Sequence, residues 1–193
     1  MKPYGTNSVT FRTLLAGYDA AVSRFATAAR GRDAAATFRP LFEALNWAVA
    51  LDDQTRKHWA PEGAPLDWSW RARVPGGDVV DAVRCARNRV HHQWADALVL
   101  YEGLAAPVVA PVVAHEWCWR QLVDLPAADL PKGKAAAAAE DHYRELLAGR
   151  PARHSLSELS TPFRLVADLL EPQLAAPATE VESASPEAPQ LSE

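Results

Sequence analysis

Apolar residues recur every three or four positions over much of the first hundred residues, the spacing of one face of an α-helix. The first such stretch begins near Ser8 and stops near Gly31, where glycine ends the pattern. A second starts around Asp33 and runs to about Trp59. Pro40 marks an alternative, later start for it, because proline is tolerated in the first turn of a helix. The pattern predicts two consecutive amphipathic helices.

The most regular helical pattern follows a loop rich in proline and glycine, and predicts a third helix from Asp78 to about Leu104. Its apolar stripe advances in steps of three or four residues. The stripe consists of Val79, Val83, Ala86, Val90, Trp94, Ala97 and Tyr101.

After Gly103 the chain changes character. Residues 116–120 (Glu-Trp-Cys-Trp-Arg) alternate like a strand and resemble Trp-Ser-Trp-Arg at 68–71, so the two segments are candidates to pair as a small ribbon. An alanine-rich helix is predicted from Lys134 to Leu147. Ser155 and Glu158 have the spacing of a capping box, which predicts a final helix beginning there.

These elements predict a mainly α fold, an up-and-down helical bundle with a small Trp-containing extended segment and C-terminal helices. The predicted organisation has three parts. Residues 1–104 form the bundle, residues 105–171 form an extension packed on it, and residues 172–193 form a disordered acidic tail.

Charge narrows the ways in which this chain can hold a polyanion. It has 20 Lys and Arg against 24 Asp and Glu, but four of the acidic residues lie after Pro172, so the body is neutral. A nucleic acid would therefore have to be held by a local basic patch. The two cysteines do not amount to a disulfide framework, and neither a signal peptide nor a membrane span is evident, so we expect a cytoplasmic protein.

Residues 87–92, Arg-Asn-Arg-Val-His-His, place cations, an amide and two imidazoles within two turns of the third helix. Relative to the stripe residue Val90, Arg87 lies about 60° and His91 about 100° round the helix. Asn88 and His92 lie further round and stack four residues apart. Histidine can remove the proton of a ribose 2′-hydroxyl, and a guanidinium stabilises charge on phosphate. Metal-free RNA cleavage is the chemistry that this combination favours.

This stretch resembles the HEPN superfamily, whose ribonucleases carry Arg, four to six further residues and His, usually with a polar residue such as Asn directly after the Arg. Arg87, Asn88 and His92 match that pattern with four intervening residues. The resemblance covers the motif and its helical setting, residues 8–104. It implies a dimeric helical bundle with both motifs facing one cleft, and cleavage to a 2′,3′-cyclic phosphate and a 5′-hydroxyl. A role as a toxin or in phage defence is the implied context.

On this interpretation Arg87 holds the scissile phosphate, His92 is the acid–base group, Asn88 orients it and His91 assists. Arg84 to His91 is a second possible register, but Cys85 follows that arginine and departs from the pattern. Arg84 and Arg89 are candidate RNA ligands, with a solvated charged face as the equal alternative.

Polar residues on the second helix are candidates to orient the motif across the bundle: Glu43, Asn46, Asp52 and Asp53. No familiar metal-ligand spacing is present, so we expect neither a metal nor another cofactor. The expected partners are an RNA substrate, a second copy of the chain and an antitoxin or regulatory protein. The competing hypothesis is a non-catalytic helical interaction or nucleic-acid-binding module whose Arg-Asn-His cluster is structural.

Overall fold

The computed structural model describes residues 8–59, 74–93, 96–102, 115–127 and 134–175. Within these ranges the chain is mainly helical, as predicted, with five α-helices and a two-stranded sheet. The helices are α1 (Ser8–Ala28), α2 (Ala34–Trp59), α3 (Val79–Gln93), α4 (Lys134–Leu146) and α5 (Ala152–Ala175). The strands are β1 (Leu98–Glu102) and β2 (His115–Trp119), and a short 3-10 helix covers Leu122–Asp124. No helix of the described ranges is long and apolar enough to cross a membrane.

The first two helices form a hairpin whose turn is specified by local chemistry. The Asp33 carboxylate accepts hydrogen bonds from the backbone N–H groups of Ala35 and Ala36, at 2.9 and 3.2 Å, so it satisfies two donors that the helix itself leaves without partners. This cap fixes the start of α2 at Ala34, and Pro40 lies inside the helix and does not begin it. The earlier of the two predicted starts is therefore the correct one.

The third helix is shorter than predicted. It ends at Gln93, and residues 98–102 form β1 instead of its last turns. The predicted core positions Val83, Ala86, Val90 and Ala97 are buried, but Tyr101 is 51% exposed, so the proposed stripe was wrong at Tyr101. Trp94 lies outside the described residues.

The strand predicted around Trp117 is confirmed, but the described partner is β1, in an antiparallel register that pairs Leu98 with Trp119 and Glu102 with His115. The alternative partner, residues 68–71, lies outside the described residues. Trp117 donates its indole N–H to the Gly31 carbonyl at 3.0 Å, so the ribbon is attached to the turn between α1 and α2.

The alanine-rich helix lies where the sequence predicted it, whereas the final helix begins at Ala152, three residues before the proposed capping box. Ser155 is buried inside the first turn, and its hydroxyl donates to the Pro151 carbonyl at 3.4 Å, so it does not cap the helix. The helix continues to Ala175, beyond the predicted start of the tail at residue 172. Residues 176–193 lie outside the described residues.

The last helix packs against the first. The Tyr18 hydroxyl donates to the Leu156 carbonyl at 2.6 Å, and the Asp19 carboxylate accepts from Ser160 and Arg164, each at 2.9 Å. Burial raises the pKa of Tyr18 well above its ordinary value, because ionisation would place a charge in the core. One hydrophobic core contains residues from both sides of the predicted boundary at residue 104, including Leu98, Trp119 and Phe163.

Candidate functional site

The predicted motif lies along the groove between α2 and α3, which run antiparallel. Successive turns of α3 meet successively earlier turns of α2 because the two helices run in opposite directions. Four contacts define the groove: those of Arg84 with Asp52 and with Asp53, that of Arg87 with Asn46, and that of His91 with Phe42. Residues from one surface strip of α3 thus face a matching strip of α2.

Arg84 is held by two carboxylates at one end of the groove. Its Nη2 atom donates to Asp52 and, at 2.7 Å, to Asp53. The Asp52 side chain is 0% exposed, whereas the Asp53 side chain is 44% exposed. Burial by itself would lower the pKa of Arg84, but the hydrogen bonds and charges of the two carboxylates outweigh it and raise that pKa. This ion-paired arginine anchors α3 to α2, and the carboxylates offset its charge.

Arg87, one turn further along α3, is oriented by amides. Its Nε donates to Asn46 Oδ1 at 3.2 Å and its Nη1 lies 3.4 Å from Asn88 Oδ1. Asn46 is itself fixed, since its Nδ2 donates to the Phe42 carbonyl at 2.8 Å. Burial lowers the pKa of Arg87, and the positive charge of Arg84 lowers it further. An arginine nevertheless stays protonated, so the groove presents an oriented guanidinium.

The imidazole of His91 lies flat against the ring of Phe42, with 5.3 Å between the centroids and 10° between the planes. Phe42 in turn stacks on Phe38, at 6.2 Å and 28°. All three side chains are half-buried. The stack fixes the plane of the imidazole beside the Arg87 cluster, as a proton-transfer group requires.

The other predicted residues have different positions. Asn88 is half-buried, and its described contact is with Arg87. The predicted contact of Asn88 with His92 involves a side chain outside the described residues. The backbone of His92 belongs to the last turn of α3, and its side chain lies outside the described residues.

Arg89 does not belong to the groove. It is 5% exposed and is directed toward α4, where Nη2 donates to Glu140 at 2.7 Å and Nη1 donates to the Pro126 carbonyl. The prediction that Arg89 faces RNA phosphate is therefore not supported by its position. Both alternatives considered for it, an RNA contact and a solvated face, assumed exposure. Instead this buried arginine joins α3 to α4.

Of the four polar residues predicted to reach across from α2, three do so: Asn46 contacts Arg87, and the two aspartates contact Arg84. Glu43 faces the opposite side and pairs with Arg24 and Arg39. Phe42, which stacks on His91, was not among the predicted site residues. Its place four residues before Asn46 is the signal that puts both on one strip.

Within the described ranges, no group of three or more His, Cys, Asp or Glu side chains is placed to hold a metal ion. Cys85 and Cys118 are buried and free, and burial raises the pKa of both thiols. Thiolate chemistry at neutral pH is therefore disfavoured at these positions.

Comparison of the chain with protein-family models, with curated proteins and with solved structures finds no match. The groove itself offers three chemical features: an oriented guanidinium, a stacked imidazole, and a second histidine on the next residue.

Proposed function

We propose that the protein is a HEPN-like, metal-independent endoribonuclease that acts as a homodimer in a toxin or defence context. One observation carries the proposal: two asparagines from different helices orient the Arg87 guanidinium in the same groove as a histidine ring fixed by stacking. A planar guanidinium with set orientation suits the oxygens of a phosphodiester, and an imidazole is the side chain that most often transfers protons in catalysis.

In the proposed reaction an imidazole accepts the proton of the ribose 2′-hydroxyl as O2′ forms a bond to phosphorus. The bond from phosphorus to O5′ breaks, and a protonated imidazole delivers a proton to O5′. The products are a 2′,3′-cyclic phosphate and a 5′-hydroxyl, so protons and bonds balance without an oxidant or a metal. Arg87 stabilises the charge that accumulates on the phosphate oxygens, the role in which preorganised donors contribute most.

We assign His92 the acid–base role, as the resemblance implies, and His91 the assisting role. Because His91 and His92 are adjacent on the same helix, we include a second copy of the chain in the proposal. The reaction needs one group that accepts a proton and one that donates a proton on opposite sides of the phosphate. Two α3 helices facing each other would supply a histidine to each side. Arg84 has no phosphate-binding role in this proposal, because Asp52 and Asp53 offset its charge.

The test is cleavage of a fluorescent RNA in EDTA by the wild type and four variants: His92→Ala, His91→Ala, Arg87→Lys and His154→Ala. His154 is the matched control, an exposed histidine on α5 that pairs with Glu158 at 3.0 Å. We expect His92→Ala to reduce the rate roughly 100- to 10,000-fold, the usual contribution of acid–base catalysis. His154→Ala should retain the wild-type rate. Equal rates for wild type and His92→Ala would refute the assignment of His92.

Arg87→Lys separates charge from orientation. Lysine keeps the positive charge but loses the planar fork that Asn46 and Asn88 hold. A large loss of rate, with the far-ultraviolet circular dichroism unchanged, supports an oriented contact with phosphate. A rate equal to that of the wild type contradicts the proposed role of the guanidinium geometry.

The competing hypothesis is a non-catalytic interaction or nucleic-acid-binding module, in which the same contacts only stabilise the packing of the helices. The flat packing of His91 on Phe42 and the amide contacts of Arg87 are also how a helix interface satisfies its polar groups. Absence of RNA cleavage by the wild type, together with retained binding of RNA or a partner protein, would favour this hypothesis.

A further inference from the structure

A second groove lies on the other side of α2 from the Arg87 cluster. It is an open depression of about 480 Å³ between α1 and α2, lined by Arg24, Ala28, Ala36, Arg39, Pro40 and Glu43. Both arginines project into solvent, with side chains 55% and 87% exposed. They share the single carboxylate of Glu43, so this groove has more positive than negative charge.

The two grooves are connected across α2 by residues that follow the helix repeat. On a helix of about 100° per residue, Arg39 and Asn46 lie within roughly 20° of each other. They therefore define one line along α2, here called the ridge. Phe38 and Phe42 flank that ridge on the α3 side, and Glu43 flanks it on the α1 side. Arg39 thus lines the edge of the second groove that is nearer the aromatic stack.

The aromatic stack and the arginines together have the composition of a single-strand binding surface. Such surfaces combine cationic side chains, which follow the backbone, with aromatic rings on which successive bases stack. Here Phe38, Phe42 and His91 are stacked and only half-buried. Arg39 follows Phe38 in α2, and Arg24 lies across the second groove on α1. Duplex RNA suits this arrangement poorly, because its bases are already paired and stacked inside the helix.

We propose that single-stranded RNA crosses α2, with a base stacked beside Phe38 and the flanking phosphates held by Arg39 and Arg24. The inference rests on the proposed function, and it adds a substrate class: an unpaired strand, with the scissile phosphate at Arg87 and the neighbouring nucleotides over Phe38 and Arg39. Base stacking accepts any base, so the surface selects strandedness more than sequence.

The test uses a fluorescein-labelled 2′-O-methyl oligoadenylate, which lacks the nucleophilic hydroxyl and is therefore bound but not cleaved. Its affinity is measured by fluorescence anisotropy over a range of salt concentrations. Phe38→Leu keeps an apolar side chain but removes the ring, and should weaken binding by roughly 5- to 100-fold. Arg39→Ala removes one phosphate contact, and should reduce the slope of log affinity against log salt by about 0.7.

Arg153→Ala is the matched control, since Arg153 is a 56% exposed arginine that pairs with Glu116 on the ribbon. It should leave both affinity and salt slope unchanged. Wild-type affinity in Phe38→Leu, or an unchanged salt slope in Arg39→Ala, would overturn the inference. Equal competition by a duplex of the same length would overturn it as well, as would equal competition by polyglutamate, which would indicate a general acidic ligand.

The binding assay and the cleavage assay test the strand path and the nuclease independently, so either proposal can be refuted without the other. Binding of the oligonucleotide that depends on Phe38 and Arg39, without cleavage of RNA by the wild type, upholds the strand path and refutes the nuclease. Cleavage that depends on His92, with binding indifferent to Phe38 and Arg39, upholds the nuclease and refutes the path.

Discussion

Asp52 and Asp53 allow a direct measurement of how burial changes the contribution of an ion pair to the free energy of unfolding. Both carboxylates accept a hydrogen bond from the same nitrogen, Nη2 of Arg84. They differ in exposure, because the Asp52 side chain is 0% exposed and that of Asp53 is 44% exposed. Replacing each in turn with asparagine removes a charge while keeping shape and a hydrogen-bond acceptor.

Removal of one member of a buried ion pair costs about 3–5 kcal/mol, because the remaining charge stays desolvated. Arg84 is 24% exposed and keeps Asp53, so we take the lower end, about 3 kcal/mol, for Asp52→Asn. Asp53→Asn breaks a pair with a solvated carboxylate and should cost less than about 1 kcal/mol. For a chain of 193 residues the first change corresponds to a fall in Tm of about 6–12 °C.

The assay is urea unfolding followed by tryptophan fluorescence and by circular dichroism, with wild type, Asp52→Asn and Asp53→Asn in parallel. Coincident curves from the two probes establish that a single free energy of unfolding applies. Equal destabilisation by the two substitutions, or a larger loss in Asp53→Asn, would show that burial does not set the value of this pair.

Two further predictions concern helix packing and ionisation. In Gly17→Ala the added methyl group would lie 2.9 Å from the Trp47 ring, so we expect the free energy of unfolding in urea to fall by about 1–3 kcal/mol despite the higher helix propensity of alanine. The same substitution in a Trp47→Leu background should cost markedly less. An equal cost there would contradict the steric explanation. Burial raises the pKa of Tyr143, whose hydroxyl donates to the Arg120 carbonyl at 2.9 Å. Because the folded pKa exceeds the unfolded value of about 10, the contribution of the neutral phenol is complete below that pH and is lost as the pH rises above it. Tyr143→Phe should therefore lose about 1 kcal/mol at neutral pH but show a shallower decline in unfolding free energy above about pH 10, and parallel curves would refute this.

The sequence predicted helices best where the helical spacing of apolar residues did not overlap a segment equally suited to a strand. Asp33 supplied a cap and Gly31 a stop, so α1 and α2 were identified close to their observed ends. The third helix was extended too far because Ala97 and Tyr101 continue a spacing of three and four by coincidence. Residues 98–101, Leu-Val-Leu-Tyr, are equally suited to a strand, and pairing with β2 decides the outcome.

At the site, sequence reasoning located the α3 residues and proposed the α2 residues that meet Arg84 and Arg87. It did not separate Arg84 and Arg89, which are both arginines near the edge of an amphipathic stripe. Their environments depend on which helix lies alongside: α2 offers the buried Asp52 to a partly exposed Arg84, whereas α4 offers the half-buried Glu140 to a buried Arg89. Which neighbours surround a helix is a property of the tertiary fold, and periodicity along one helix does not contain it.

The packing of α5 on α1 has a consequence for synthesis of the chain. Tyr18 and Asp19 find their α5 partners 138 to 145 residues later in the sequence. At about 5–20 residues per second, a ribosome needs roughly 7–30 s to deliver those partners. During that interval the α1–α2 hairpin and the groove beside α3 can assemble from neighbouring segments, while one face of α1 remains available to chaperones. The proposed RNA site can therefore form on the nascent chain before α5 is available to cover that face of α1.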